Sequence, residues 1–209
     1  MPGTVLVADD HPLFRQALGL ALAKVRPEAR VVEAGTLASA LRAAQEVGPD
    51  DLQLILLDLK MPGATGYSGI ALLHAECPQV PILVVSSAEG ASAAEEARAF
   101  GAVGFVRKES DLTAIENAIT AALGGGTARS RPDAPADPIR DTVASLTPTE
   151  LKVLLAVLEG QLNKQIAHSL KVSEATVKAH MTAIMRKLDV TNRTQAALVA
   201  RALGLDLRH

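Results

Sequence analysis

Length, composition and charge restrict what this chain can be. Its 209 residues are enough for two small domains, and 48% of them are hydrophobic, so buried cores rather than disorder are expected. The single cysteine, Cys77, excludes an internal disulfide and a zinc site built from several cysteines. No apolar run approaches the roughly 20 residues of a membrane span, and the N-terminus lacks the basic region of a signal peptide. We therefore expect a cytoplasmic protein without membrane contact.

Charge is distributed unevenly along the chain. Residues 1–126 hold 9 basic and 15 acidic side chains, a net charge of −6, whereas residues 146–209 hold 9 and 5, a net charge of +4. The two halves are therefore expected to have different partners. A basic module can bind a polyanion through its phosphates, which makes nucleic acid a candidate partner of the second half.

The first half alternates short β-branched runs with helical patterns. The predicted strands are Thr4–Ala8, Arg30–Glu33, Gln53–Leu57, Ile82–Val85 and Ala102–Val106. The predicted helices between and after them are Leu13–Lys24, Leu37–Val47, Ser68–Ala75, Ala91–Phe100 and Leu112–Leu123. This alternation indicates an α/β domain, a doubly wound five-stranded parallel sheet with strand order 2-1-3-4-5, over residues 1–123.

A change in composition separates the two halves. Three consecutive glycines from Gly124 end the last helix of the first half, and a proline-containing polar stretch follows, which predicts a linker over residues 124–145. The pattern over residues 146–209 is purely helical, which predicts an all-α domain of four helices. Thr147 and Glu150 form a capping box for the first of them, and Ser173 and Thr194 are the predicted caps of the third and fourth.

Carboxylates stand where two strands of the first half end. Asp9 and Asp10 follow the first strand and Asp58 follows the third, and these strands are neighbours in the predicted order. Converging carboxylates repel one another unless a cation joins them, and Mg²⁺ prefers oxygen ligands. Ser86 and Lys108 follow strands at the same edge. Such a set suits phosphoryl transfer to Asp58, with the hydroxyl and the ammonium contacting phosphoryl oxygens.

The motifs ADDHPLFRQAL, LILLDLKMPG, ILVVSSAEG and GAVGFVRKES resemble the successive motifs of receiver domains in two-component response regulators. The resemblance covers residues 3–123 and implies a flavodoxin/CheY-like fold. It implies that Asp58 is the phosphoacceptor and that Mg²⁺ is held by Asp9, Asp10, Asp58 and the main-chain carbonyl of Lys60. It also implies that Ser86 is the switch hydroxyl, Lys108 the phosphate-contacting lysine and Phe105 the switch aromatic. The adjacent His11 is expected to have a structural role.

The third helix of the second half has two faces. Val177, Met181, Ile184 and Leu188 recur at helical spacing and predict a buried stripe. A polar-basic face beside it suits the DNA major groove, although an ordinary four-helix bundle with solvated lysines has the same periodicity. The predicted DNA contacts are Lys178, Ala179, Thr182, Arg186, Thr176, Asn163 and Lys164.

Residues 146–205 resemble the LuxR-type helix-turn-helix, with NKQIA and SEATVKAHMTAIMRKL as the most specific segments. Together the two halves resemble the NarL/FixJ subfamily of response regulators. This implies a non-enzymatic transcription regulator that a partner histidine kinase phosphorylates and that binds two DNA half-sites as a homodimer. The last helix is expected to supply a dimer contact through small residues, which are equally suited to pack inward: Ala196, Ala197, Val199 and Ala200.

Three other functions remain open. A phosphatase with Asp58 as its nucleophile is one, but Lys60 stands where such enzymes usually have a second catalytic acid. A flavin-binding domain has a similar sheet order, but the Asp9–Asp10 turn would repel the flavin phosphate. A constitutive DNA-binding protein with a vestigial receiver is the third, and the complete acidic site argues against it.

Overall fold

The computed structural model describes residues 3–64, 66–87, 93–124, 145–202 and Leu205. The chain divides into two compact units, Met1–Ala134 and Pro135–His209. Between its end residues Gly124 and Ser145, the predicted linker lies outside the described residues. No helix in the described part of the chain is both long enough and apolar enough to span a bilayer.

The first unit contains one parallel sheet of five strands. They are β1 (Thr4–Ala8), β2 (Arg30–Ala34), β3 (Leu52–Leu57), β4 (Ile82–Ser86) and β5 (Gly104–Arg107), in the order β2-β1-β3-β4-β5. This is the order that the sequence predicts. All residues of β1 and β4 are buried, as expected of central strands covered on both faces. The order makes β1 and β3 neighbours, so that their carboxyl ends meet.

Five helices cover the two faces of this sheet: α1 (Pro12–Val25), α2 (Leu37–Val47), α3 (Ser68–Glu76), α4 (Ala93–Ala99) and α5 (Leu112–Leu123). Alternate strand residues such as Val5, Leu54 and Val85 form one core with Leu18 of α1 and Ile119 of α5. Because side chains alternate along a strand, the intervening residues face the opposite layer. The helices α2 and α3 pack against each other there.

The last predicted strand begins too early. Ala102 belongs instead to the turn after α4, where its amide bonds to the carbonyl of Ala97 at 3.0 Å and Gly101 has a φ of 107°. A hydrogen bond back into the preceding helix ends that helix and delays the strand. The first two residues of the predicted helix Ala91–Phe100 lie outside the described residues.

The second unit consists of α6 (Pro148–Leu158), α7 (Asn163–Leu170), α8 (Glu174–Lys187) and α9 (Arg193–Ala202). The capping box of α6 is confirmed, since the Glu150 carboxylate accepts from the Thr147 amide at 2.8 Å and the Thr147 hydroxyl accepts from the Glu150 amide at 3.3 Å. Lys171, with a φ of 55°, makes the turn between α7 and α8. The predicted stripe along α8 is buried.

The structure corrects the predicted cap of α9 and decides between the two roles left open for its small residues at Ala196 and Ala200. Thr194 does not cap it: the helix begins one residue earlier, and the Gln195 amide bonds to the side chain of Asn192 at 2.9 Å. Asparagine is at least as good a cap as threonine, and its position decides the start. Ala196 and Ala200 are fully buried within the unit, so their small side chains pack inward and cannot supply a dimer contact.

Candidate functional site

The acidic residues of the first unit converge at the carboxyl ends of β1 and β3. Asp9 and Asp58, the residues directly after these strands, are buried, with 1% and 2% of their surfaces exposed. The Asp10 side chain is 31% exposed at the rim. Ligand atoms of Asp9, Asp10, His11 and Asp58 all lie within 4.8 Å of one another. The parallel order of the sheet therefore brings Asp58 together with carboxylates that lie 48 and 49 positions before it in the chain.

Ser86 and Lys108 contact Asp58 from the carboxyl ends of β4 and β5. The Ser86 hydroxyl donates to Asp58 Oδ1 at 2.8 Å, and Lys108 Nζ donates to Asp58 Oδ2 at 2.8 Å. Lys108 Nζ also lies 2.6 Å from Asp9 Oδ2. The adjacent Ser87 is only half-buried, and its side chain lines a cavity beside α1. One ammonium group thus bridges two buried carboxylates.

Lys108 stays protonated at this position. Burial by itself would lower the pKa of Lys108, but the hydrogen bond to Asp58 and the close negative charges of Asp58 and Asp9 outweigh burial and raise that pKa above its usual range. The ring of Phe14 adds to this environment, with its centroid 4.8 Å from Lys108 Nζ. The lysine therefore presents a fixed positive charge towards Asp58.

The acidic cluster fits a divalent cation. Three carboxylates and one ammonium leave the cluster with two negative charges in excess when His11 is neutral. Asp9 Oδ2 and Asp10 Oδ1 are buried and accept no well-aligned hydrogen bond from the described residues, although Lys108 Nζ and His11 Nδ1 lie close to them. Oxygen ligands in this number suit a hard cation such as Mg²⁺.

The remaining predicted residues lie around this cluster. The Lys60 amide donates to Asp58 Oδ1 at 3.1 Å, and its side chain is exposed. Phe105 is half-buried on β5 and pairs in register with Val84. The His11 amide donates to Asp9 Oδ1 at 2.8 Å, while its ring is 66% exposed. The roles of the Lys60 carbonyl and of Phe105 stay predictions.

Arg15 is a residue that the sequence reasoning missed. Its guanidinium donates to the main-chain carbonyl of Asp9 at 2.8 Å and to the Glu33 carboxylate at 2.6 Å. Nothing in the sequence singles it out, because an arginine in the first turn of a helix is ordinarily a solvated residue. The predicted strand order places β2 beside β1, but only the structure shows that the Arg15 side chain reaches both Glu33 and the carbonyl of Asp9.

The second unit presents α8 with one buried and one exposed face. Ser173 caps the helix by accepting from the Thr176 amide at 3.0 Å. Lys178, Thr182 and Arg186, spaced four residues apart, are exposed on the face opposite the buried stripe, together with Ala179. Thr176 is half-buried, and its hydroxyl lies 2.8 Å from that of Ser173, within the cap. Most of the predicted base-reading set thus forms one exposed strip.

Asn163 and Lys164 open α7, where unpaired helix amides favour anions. Lys164 is exposed, whereas Asn163 is half-buried and its side-chain oxygen accepts from Arg193 Nη1 at 3.0 Å. Arg193 also donates to the carbonyl of Gln161. Sequence reasoning missed this arginine, which joins the start of α9 to the start of α7.

Comparisons with known proteins agree with this architecture. Residues 5–120 match the family described as "Response regulator receiver domain", and residues 144–200 match "Bacterial regulatory proteins, luxR family". The "Glycerol metabolism activator" of Pseudomonas putida is 39% identical over 94% of each chain. The "Nitrate/nitrite response regulator protein NarP" of Escherichia coli is 34% identical over 95% of this chain and 94% of its own length.

A solved structure of the response regulator StyR has a TM-score of 0.51 and 27% identity, covering 97% of this chain and all of its own. The family match spans more than half of the chain, and both curated relatives align over nearly their full lengths. The chain therefore belongs to the response regulators of the NarL/FixJ subfamily, with a receiver domain followed by a LuxR-type DNA-binding domain that regulates transcription.

Proposed function

We propose that a partner histidine kinase phosphorylates Asp58, and that the phosphorylated protein dimerises and binds DNA sequence-specifically. One observation carries the proposal. Asp58 is a buried carboxylate at a strand end, with a hydroxyl on one oxygen and an ammonium on the other. This setting supports the proposal, because a carboxylate held by two adjacent donors suits stabilisation of the charge that arrives with a phosphoryl group.

In the proposed reaction, a carboxylate oxygen of Asp58 attacks the phosphorus of phosphohistidine or of a small acyl phosphate. The new bond is an aspartyl phosphate P–O bond. The donor's P–N or P–O bond breaks, and the leaving group takes that electron pair. Asp9, Asp10, Asp58 and the Lys60 carbonyl would hold Mg²⁺, which would supply positive charge to neutralise the phosphoryl oxygens. Lys108 and Ser86 then hold the phosphoryl oxygens as cationic and neutral donors.

The test of this step is intact mass after incubation with Mg²⁺ and acetyl phosphate. We expect the wild-type chain to gain one phosphoryl group and Asp58→Asn to gain none. Ser86→Ala and Ser87→Ala form a matched pair, because only the Ser86 hydroxyl contacts Asp58. Loss of modification in Ser87→Ala but not in Ser86→Ala would contradict the assignment. An unmodified wild type, even with cognate kinases supplied, would point to a vestigial receiver.

The output step follows from two properties of a phosphoryl group at Asp58. It adds negative charge and strong hydrogen-bond acceptors, and it can shift only an equilibrium between states that it contacts differently. We propose that Ser86 and Lys108 follow the phosphoryl group and that Phe105 turns inward. These movements change the receiver surface around Ser86 and Phe105, and we propose that the changed surface favours dimerisation. Sedimentation velocity with and without acetyl phosphate measures this, and an unchanged mass distribution would contradict it.

For DNA, we propose that α8 enters the major groove and that the start of α7 contacts phosphates. The exposed strip on α8 supports this, because lysine can bond to guanine while threonine and alanine methyl groups contact thymine. A binding site is first selected from random duplexes with the phosphorylated protein. Lys178→Ala should then lose about 1–3 kcal/mol and relax the sequence preference. Lys152→Ala, a cation on α6 outside the predicted contact set, is the control. Equal effects of both variants would contradict this orientation of α8.

A further inference from the structure

Arg15 joins three segments around the acidic cluster. Its side chain is 18% exposed, and its own amide bonds to the His11 carbonyl at 3.1 Å, which fixes it in the first turn of α1. Its Nε donates to the carboxylate of Glu33 at the end of β2. Its Nη1 donates to the carbonyl of Asp9. The planar guanidinium makes these two bonds from two different nitrogens in fixed directions, whereas the ammonium of a lysine is a compact charge with rotatable donors at a single atom.

These contacts restrain the peptide that joins Asp9 to Asp10. The Asp9 amide donates to the Ala34 carbonyl at 3.0 Å, and the Asp9 carbonyl accepts from Arg15, so both main-chain groups of Asp9 are held by neighbouring elements. The side chains of Asp9 and Asp10 are attached to the two Cα atoms that flank this peptide. Their separation and direction therefore depend on a bond that Arg15 makes and that Glu33 braces.

We infer that Arg15 is a positioning residue for the divalent-cation site. By holding the Asp9–Asp10 peptide, it arranges the Asp9 and Asp10 carboxylates for a cation without contacting the cation itself. The inference rests on the proposed function of the Asp58 site. Groups behind metal ligands set the orientation of those ligands, and their loss typically weakens metal affinity by roughly 10–100-fold.

Two other roles for Arg15 predict different changes in cation affinity. If it acted only through its positive charge, its removal would strengthen cation binding, because the cluster would become more negative. If it formed only a surface ion pair with Glu33, which is 50% exposed, its removal would leave the cation affinity unchanged. The direction of the change in affinity therefore separates positioning from both alternatives.

The experiment uses the full chain and the variants Arg15→Ala, Arg15→Lys and Glu33→Gln. Arg42→Ala is the matched control, because Arg42 is 73% exposed on α2 and pairs with Glu46 at 4.0 Å. Mg²⁺ affinity is measured by calorimetry. The rate of phosphorylation by acetyl phosphate is measured separately as a function of Mg²⁺ concentration.

We expect both Arg15 variants to bind Mg²⁺ roughly tenfold more weakly. Glu33→Gln should show a smaller loss, and Arg42→Ala should match the wild type. At saturating Mg²⁺ the phosphorylation rates should approach that of the wild type, because positioning acts on the cation and not on Asp58. Arg15→Lys and Glu33→Gln keep the test decisive if Arg15→Ala does not fold.

Three results overturn the inference. Unchanged Mg²⁺ affinity in all variants would show that Arg15 forms only a surface ion pair with Glu33. Tighter binding in Arg15→Ala with unchanged binding in Arg15→Lys would show a charge effect alone. A wild type that binds no Mg²⁺ and accepts no phosphoryl group would overturn the proposed function together with the inference. This third result is distinguishable from the first two, because in those the wild type binds Mg²⁺ and is phosphorylated.

Discussion

Removing the positive charge of Lys108 should destabilise the receiver domain. Lys108→Met keeps most of the aliphatic stem and deletes the ammonium that lies 2.8 Å from Asp58 and 2.6 Å from Asp9. The variant leaves two buried carboxylates facing each other, with the third acid, Asp10, beside them. Buried charges without a partner are unfavourable, because water no longer solvates them.

The size of the effect follows from the burial of the three groups. Breaking a buried ion pair by removing one partner costs about 3–5 kcal/mol. Lys108 is 12% exposed, so solvent reaches the cluster, and a carboxylate can take up a proton in the variant; we therefore expect about 2–3 kcal/mol. The proposed binding of Mg²⁺ to the folded state should restore more stability in Lys108→Met than in the wild type, since the variant cluster is more negative.

Urea denaturation measures this difference. The chain has one tyrosine and no tryptophan, and Tyr67 stacks on Phe100 within the receiver domain at a centroid distance of 5.5 Å. Tyrosine fluorescence thus reports on the unfolding of this domain. Arg107→Met is the control: Arg107 and its partner Glu109 are each 57% exposed, and we expect a change within about 0.5 kcal/mol.

The pH dependence gives an independent check. Because the folded pKa of Lys108 is raised, its contribution is fully present below the unfolded pKa of about 10.4 and is lost as the pH rises through the folded pKa. The difference in the free energy of unfolding between the wild type and Lys108→Met should therefore shrink only in strongly alkaline solution. A Lys108→Met variant as stable as Arg107→Met without Mg²⁺ would refute the reasoning.

Three further predictions concern stability. Burial alone would raise the pKa of Glu150, but hydrogen bonds and charge attraction from Lys187 and Thr147 outweigh burial and lower that pKa. The contribution of Glu150 to the stability of the folded state is therefore present above its unfolded pKa of about 4.3 and is lost as the pH falls through the folded pKa. Glu150→Gln should cost about 1–2 kcal/mol at neutral pH and nothing in strong acid, as measured by urea denaturation followed by circular dichroism. Gly101→Ala should cost about 1–3 kcal/mol in thermal unfolding, because its Cβ would lie 2.6 Å from the ring of His74 and the φ of 107° strains an alanine. Ser173→Ala should cost about 1 kcal/mol by loss of the α8 cap, and equal stability would show that the Thr176 amide finds another partner.

Much of the fold could be predicted because it is encoded in local patterns. The continuous apolar run of β1 and the capping box of Thr147 and Glu150 are readable from adjacent residues, and both are confirmed. The start of β5 and the cap of α9 are misplaced in the sequence-based prediction. In each case a hydrogen bond between residues several positions apart fixes the boundary: the Ala102 amide bonds to the Ala97 carbonyl, and the Gln195 amide bonds to the Asn192 side chain.

The sequence by itself determined which chemical groups stand at the strand ends. Asp9, Asp58, Ser86 and Lys108 each follow or close a strand, and the order of the strands was enough to expect that they meet. Only the tertiary structure decided how they meet: that one ammonium bridges two buried carboxylates, and that Arg15 and Glu33 hold the peptide between Asp9 and Asp10. The physical reason is that a strand end is a local property of the chain, whereas hydrogen-bond partners, burial and the resulting pKa depend on segments that the fold brings together from distant positions.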